Sequence, residues 1–305
     1  ISSDSWLWSS GSIRSTGRGA DSLDELRRAD GSPSDPQSDG GQVMLVAYNC
    51  SGQRSEAREA VKTDGPFLCP ACNRDVILKK GTIVIHHFAH KPDSDCAYGQ
   101  GETRAHMEAK YGIRDLLKSH PKVKTVELEW TLADGCRADV YVEFGSKKLA
   151  IELQRSQQTE AETIRRTTRY NDQGVAVLWV AVPAIQKISG NDRKSWGYQT
   201  SFVEHYRASA MERFFSGLHL GTYFLWRSDT RTLHKAQLER AIREVDGKGW
   251  GADYTTTYKD RRDLHLSKPL AATGLGVKIQ QVKPWKHFPE RTVAISNSPN
   301  EARSQ

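Results

Sequence analysis

The stretch Arg137-Ala138-Asp139-Val140-Tyr141-Val142-Glu143-Phe144-Gly145-Ser146-Lys147-Lys148-Leu149-Ala150-Ile151-Glu152-Leu153-Gln154 decides how the chain is read. Two strand-like runs, Arg137 to Phe144 and Lys148 to Gln154, flank Gly145-Ser146, where a hairpin turn is expected. Asp139 sits in an otherwise apolar run. On the second run Glu152 and Gln154 share one side, and Ile151 and Leu153 the other. Thirteen residues part Asp139 from Glu152, room for one hairpin. Neighbouring antiparallel strands can therefore bring both carboxylates to one metal ion. Working outward, Lys124 to Leu132 reads as a preceding strand, with Asp134-Gly135 between, and Glu102 to Ser119 as a helix ending before Pro121. Downstream, Thr159-x-x-Glu162 is a capping box for a helix running to about Asp172, which Gly174 stops. Val175 to Val182 is almost wholly apolar, as a buried strand is. The order is helix, three strands, helix, strand.

This set suits phosphodiester cleavage. Asp139 and Glu152 offer hard oxygens to Mg²⁺ or Mn²⁺, and the Leu153 carbonyl could add another. Such an ion acidifies bound water and offsets charge on a scissile phosphate. Glu102, His106 and Lys110 recur every four residues and share a helix face. Glu102 could join the metal shell or orient water. Gln154 could position the attacking water but cannot take its proton. His106 could be a base or contact phosphate. Arg166 and Tyr170, one turn apart on the next helix, suit contact with a DNA backbone, together with Arg137 and Lys110. Charges on an open sheet face or a solvated helix would leave the same letters. The apolar setting of Asp139 and Glu152 counts against the first of these, because unpaired charges there are costly.

Upstream lies a compact Cys/His segment. Cys69-Pro70-Ala71-Cys72 is followed by a hairpin pattern, Val76 to Ile85, then by His87-Phe88-Ala89-His90 and Cys96. A C-x-x-C turn supplies two zinc ligands and the returning hairpin two more. Cys69, Cys72, His90 and Cys96 are the preferred structural Zn²⁺ set, with His87 the competitor for His90. Free cysteines and a redox C-x-x-C are the rival readings, although a redox motif normally sits between a strand and a helix. Cys50 and Cys136 lack ligand-like neighbours and read as buried small hydrophobes.

The chain has 305 residues, 44 Lys+Arg against 37 Asp+Glu, and a formal net charge of +7. No run approaches ~18 apolar residues, so a transmembrane helix is excluded. The start has no secretory signal pattern, and five cysteines are an odd number for a disulfide scaffold. The expectation is a cytoplasmic protein with no membrane partner. Residues 1–43 hold eleven Ser and six Gly, and seven acids against four arginines, which leaves +10 on residues 44–305. That segment reads as disordered. Met44 is the first methionine, which suggests a natural start there; a genuine disordered arm is the rival.

Together the motifs C-P-A-C, V-I-L-K-K-G, H-F-A-H-K and a later Cys, then E-x-x-x-H-x-x-x-K, R-A-D-V, A-I-E-L-Q-x-S and R-x-x-x-Y, resemble the competence protein CoiA-like family over about Met44 to Val182. The resemblance implies an α/β fold, with a zinc-ribbon-like module followed by a nuclease-like core of the PD-(D/E)xK superfamily. It places Asp139 at the metal-binding Asp, Glu152 at the acid of the E-x-K pair, Gln154 at the Lys, and Glu102 at the helix acid. Gln at the Lys position departs from the superfamily's commonest pattern and is similar to what CoiA-like sequences carry.

The expected division is a disordered extension at 1–43, the zinc module at 44–98, the nuclease-like domain at 99–183, a mixed α+β region at 184–288 and a flexible tail at 289–305. Val43 to Tyr48 reads as a strand and Ser55 to Lys62 as a short helix. In the C-terminal region Phe202 to Leu218 and Thr230 to Val245 read as helices, and Gly221 to Trp226 as a strand. Phe202, Tyr206, Met211, Phe214 and Phe215 read as core. Basic and aromatic patches at Asp192–Lys194, Lys259–Arg262 and Lys283–Phe288 could follow a nucleic-acid strand. The leading reading is a Mg²⁺- or Mn²⁺-dependent DNA nuclease acting in DNA uptake, recombination or processing. Its rivals are a non-catalytic DNA-binding accessory factor and a nuclease of a phage-defence or mobile-element system.

Overall fold

The computed structural model describes residues 42–296, apart from 83, 93, 156–157, 189–191, 194–198, 219–220, 246–253, 272–275 and 282–290. The serine-rich segment up to residue 41, Lys194 and the Lys283–Phe288 patch lie outside the described residues, as do 297–305.

The first sheet contains β1 (Val43–Met44), β2 (Val46–Tyr48), β3 (Arg54–Glu56), β4 (Phe67–Leu68), β5 (Asp75–Lys79) and β6 (His87–His90). They lie in the order β1-β6-β5-β4-β2-β3, with antiparallel pairing throughout. A small core of Met44, Ala47, Phe67, Val76, Leu78 and Phe88 holds it together. The strand expected over Val43 to Tyr48 breaks at Leu45. The Leu45 side chain joins the neighbouring larger core, and its N–H donates to Glu129 (3.0 Å). Ser55 to Lys62 is not a helix. Residues 54–56 pair with β2, Ala57 and Ala60 are buried, and only a 3₁₀ turn forms, at Lys62–Asp64. Strand pairing overrides a helical pattern too short to nucleate on its own. The hairpin is also longer than expected: its return strand is His87–His90, with Lys79 opposite His87.

The second sheet follows in the expected order: α1 (Arg104–Lys118), β7 (Val123–Thr131), β8 (Arg137–Phe144), β9 (Lys147–Gln154), α2 (Glu160–Asp172) and β10 (Val175–Ala181). The α2 cap is the one read from sequence; the α1 cap, Thr103, falls one residue inside the expected start at Glu102. Thr103 accepts from the His106 N–H (3.3 Å) and Thr159 from the Glu162 N–H (3.2 Å). β7, β8 and β9 are antiparallel; β10 runs parallel to β9, and every residue of β10 is buried.

Beyond residue 183 the same sheet continues. β11 (Asp192–Arg193), β12 (Gln199–Tyr206), α3 (Ala210–Leu218), β13 (Thr222–Arg227), β14 (Thr232–Val245), β15 (Tyr254–Ser267), β16 (Gly276–Gln281) and β17 (Arg291–Ser296) complete the described elements. β13 and β17 both pair in parallel with β10, and the main path reads β11-β12-β15-β14-β13-β10-β9-β8-β7. Three expectations are corrected here. Phe202 to Leu218 is strand then helix, Thr230 to Val245 is strand, and the expected tail contains β17. Of the expected core residues, Tyr206, Met211 and Phe215 are buried, while Phe202 and Phe214 are only partly so.

The sheet carries two cores. One, under α1, includes Ile113, Leu128, Val140, Leu149, Ile151, Leu178 and Trp226. The other, toward α2 and α3, includes Tyr141, Ala150, Tyr170, Trp179, Phe215 and Tyr223. Among the described residues no helix is long and apolar enough to cross a membrane.

Candidate functional site

The Cys/His segment closes on itself. Cys69 and Cys72 flank the turn before β5, His90 ends β6, and Cys96 follows on the next loop. Cys69 Sγ lies 4.0 Å from Cys96 Sγ, and Cys72 Sγ 3.8 Å from His90 Nε2. All four ligand atoms lie within 4.8 Å of one another. A tetrahedral ion with Zn–S bonds of about 2.3 Å places its sulfurs about 3.8 Å apart, so the donor set and spacing fit zinc. The N–H groups of Ala71 and Tyr98 donate to Cys69 Sγ and Cys96 Sγ (3.4 Å each), which would orient those sulfurs toward a shared ion. His87 is not in the group; its Nδ1 lies 2.7 Å from the Ile85 carbonyl. Of the two remaining cysteines, Cys136 is buried as expected, but Cys50 is exposed, in the turn between β2 and β3.

The second centre forms where α1 crosses the ends of β7 and β8. The last β8–β9 pair toward this end is Val140 with Ile151. Beyond it Asp139 Oδ2 accepts the Leu153 N–H (2.9 Å) in place of a backbone partner. The same carboxylate meets α1, with Oδ2 3.2 Å from His106 Nε2 and Oδ1 3.1 Å from Lys110 Nζ. Glu102 closes the ring, 2.8 Å from His106 Nδ1 and 2.6 Å from Lys110 Nζ. The four-residue spacing on the helix thus places His106 and Lys110 on the Asp139 carboxylate, and Glu102, just before the Thr103 cap rather than on the helix as expected, bonds to both.

Sequence reasoning missed Glu129, which is 3 % exposed and 3.1 Å from Lys110 Nζ. It also accepts from Tyr98 Oη–H (3.2 Å), whose ring lies 3.9 Å from the Arg137 guanidinium carbon. Strand alternation could not have signalled Glu129. Its φ of +49° breaks the period, so Leu128 and Glu129 are both buried.

The electrostatics follow from these contacts. Burial works to raise the Asp139 carboxyl, but the Lys110 and His106 charges outweigh it and hold it well below the usual range. Glu102 is likewise brought down to about 2 against its burial, chiefly by Lys110. His106 is pushed up to about 9, the pull of Asp139 overcoming desolvation and the Lys110 charge. It therefore carries its proton at neutral pH.

Glu152 lies across the strand register from Asp139 but is engaged elsewhere. One oxygen is 2.6 Å from Arg166 Nη2, and the other accepts from Tyr170 Oη–H. Both partners are on α2. Arg166 also donates to the Arg137 carbonyl (3.1 Å). Burial pushes Glu152 up to about 7 in spite of Arg166. Gln154, 8 % exposed, ends β9 opposite Ala181 of β10. The sequence-derived set is therefore gathered in two places. Glu102, His106 and Asp139 form a group whose ligand atoms lie within 4.8 Å, and Glu152 stands with Arg166 and Tyr170. The carboxylates of Glu102 and Asp139 are donors of a type that Mg²⁺ or Mn²⁺ accepts, whereas His106, holding its proton, is a hydrogen-bond donor to both. In this arrangement the Lys110 ammonium contacts the same carboxylates. Lys110 is fully buried, so its amine faces the acids rather than solvent.

Residues 50–99 match the family described as "Competence protein CoiA, N-terminal domain", and residues 102–236 the one described as "Competence protein CoiA, nuclease-like domain". The Cys/His group lies in the first match. The acidic centre lies in the second, which runs past residue 183 through β13 into β14. Competence protein CoiA of Bacillus subtilis (strain 168) is 26 % identical over 122 residues, covering 37 % of this chain and 31 % of the Bacillus protein. No solved structure matches the chain.

Proposed function

Because the chain belongs to the CoiA-like family, we propose that it is a metal-dependent DNA nuclease acting in the DNA uptake and recombination of competence, built on a core of the PD-(D/E)xK type. The observation that carries this reading is the meeting of Glu102 and His106 with Asp139 at the point where β8 and β9 part, one register position from Glu152. Asp139 and Glu152 would hold Mg²⁺ or Mn²⁺, with Glu102 beside them; bound there, the ion would acidify water and offset phosphate charge. Protonated His106 is suited to donate to a phosphate oxygen rather than to act as a base at neutral pH. Lys110 is the counter-ion that holds the Glu102 and Asp139 carboxyls down, and it also contacts Glu129. Arg166 and Tyr170 hold Glu152. Zn²⁺ in the Cys69, Cys72, His90 and Cys96 group would be structural, since four protein ligands leave no open position.

One feature supports the accessory-factor reading: Lys110 already compensates the acidic group, while Gln154 offers no proton acceptor. Labelled single- and double-stranded DNA incubated with Mg²⁺ or Mn²⁺ separates the two. Cleavage that disappears in Asp139→Ala and Glu152→Ala is the expected result. Binding without cleavage in either metal would establish the accessory factor instead.

A further inference from the structure

The β13–β14 turn, residues 228–231, reaches back to α1. Arg231 has φ +54°, a conformation that non-glycine residues adopt rarely and at a cost of order 1–2 kcal/mol. The strain is fixed from two sides. Arg227 clamps the turn through both oxygens of Asp229 (2.6 and 3.1 Å). α1 approaches β13 so closely that a Cβ on Gly112 would stand 2.2 Å from the Trp226 ring. Held this way, Arg231 Nη2 lies 3.5 Å from Glu108 Oε1, the oxygen that also takes Arg104 Nε at 3.1 Å. Two guanidinium groups, with side chains 65 % and 53 % exposed, thus converge on one carboxylate oxygen. A third, exposed Arg155, donates to Thr103 Oγ1 (3.0 Å) beside them.

Positions 104 and 108 each lie two residues, about 200°, around α1 from 106, so Arg104 and Glu108 occupy the other flank of the helix from Asp139. A helix is about 10–12 Å across with its side chains.

Resting on the nucleic-acid reading above, we propose that Arg231, with Arg104 and Arg155, forms a phosphate-contacting rim that holds a nucleic-acid strand on the flank of α1 away from the acidic centre. The role of the β13–β14 turn is then to present a cation, and the left-handed backbone at Arg231 is what that presentation costs. Glu108 occupies the place of a phosphate oxygen and aims the guanidiniums until a strand arrives.

The test is fluorescence anisotropy of a labelled single-stranded oligodeoxynucleotide with the full chain, from about 50 to about 200 mM salt, beside a thermal melt. Arg231→Gly relieves the strain, so its melting temperature should equal or exceed that of wild type. Its affinity should fall roughly three- to tenfold, the loss of one charge-assisted contact, and the salt slope should shrink by about 0.7. Arg231→Lys should restore most of the affinity. Wild-type affinity and slope in Arg231→Gly would overturn the rim while leaving the nucleic-acid reading standing. Weaker binding that comes with a lower melting temperature, unrelieved in Arg231→Lys, would also overturn it, by assigning the arginine to the fold. An absence of salt-dependent binding by the wild type would overturn both readings.

Discussion

Lys110 is the residue on which the acidic centre turns. Its ammonium has no exposed surface and touches Glu102, Glu129 and Asp139 at once. Removing one partner from a buried ionic group typically costs about 3–5 kcal/mol, because the charges left behind are uncompensated. Lys110→Met should therefore lose stability on that scale in urea unfolding. Adding Glu129→Gln should recover part of it, since one carboxylate no longer needs a counter-charge. His106 makes a second prediction. Its proton is held to about pH 9, above the ordinary histidine value, so the folded state binds that proton more tightly than the unfolded chain does. The resulting stability is present in full below about pH 6.5 and is lost as pH rises through about 9. Unfolding midpoints of the wild type should fall across that window, and those of His106→Gln should lack that decline. At this scale Glu102, His106, Asp139 and Glu152 could be read from spacing and alternation. Glu129 could not, because its backbone leaves the alternating pattern, and neither could the division of Asp139 and Glu152 between two helices. Asp139 turns to α1 because the Leu153 amide needs an acceptor once the strands part.

Among the elements, those whose local pattern agrees with their tertiary setting were legible. The capped helices α1 and α2 and the apolar β10 lie within a residue or two of expectation. Thr230 to Val245 went the other way. Its Leu, Glu, Arg, Ala and Lys residues are good helix formers, yet Thr232–Val245 pairs with β13 on one side and β15 on the other. Strand propensity reflects such neighbours more than the residues themselves. The first sheet has a small core and several two- or three-residue strands, which makes it the element most in need of a metal. Elemental analysis of purified protein should find about one zinc per chain, lost in Cys69→Ser and Cys96→Ser and kept in His87→Ala. Zinc lost with His87 rather than His90 would reassign the fourth ligand.

For the whole molecule, the Cys/His module and the C-terminal strands are both built into the nuclease-like core. Leu45 and Tyr98 bond to Glu129, inside the acidic centre. β13 extends the sheet from β10 and carries Trp226 against α1. The boundary expected at residue 183 falls between two strands that pair with each other, which no local composition shift could reveal. The central claim is that Asp139 and Glu152, facing different helices in this structure, serve one metal ion. Mn²⁺ binding followed by electron paramagnetic resonance, on zinc-loaded protein without DNA, tests it most directly. The account predicts one Mn²⁺ per chain in the wild type, weakened at least about tenfold by either Asp139→Asn or Glu152→Gln, as loss of a direct carboxylate ligand requires. Wild-type Mn²⁺ affinity in Glu152→Gln would contradict it.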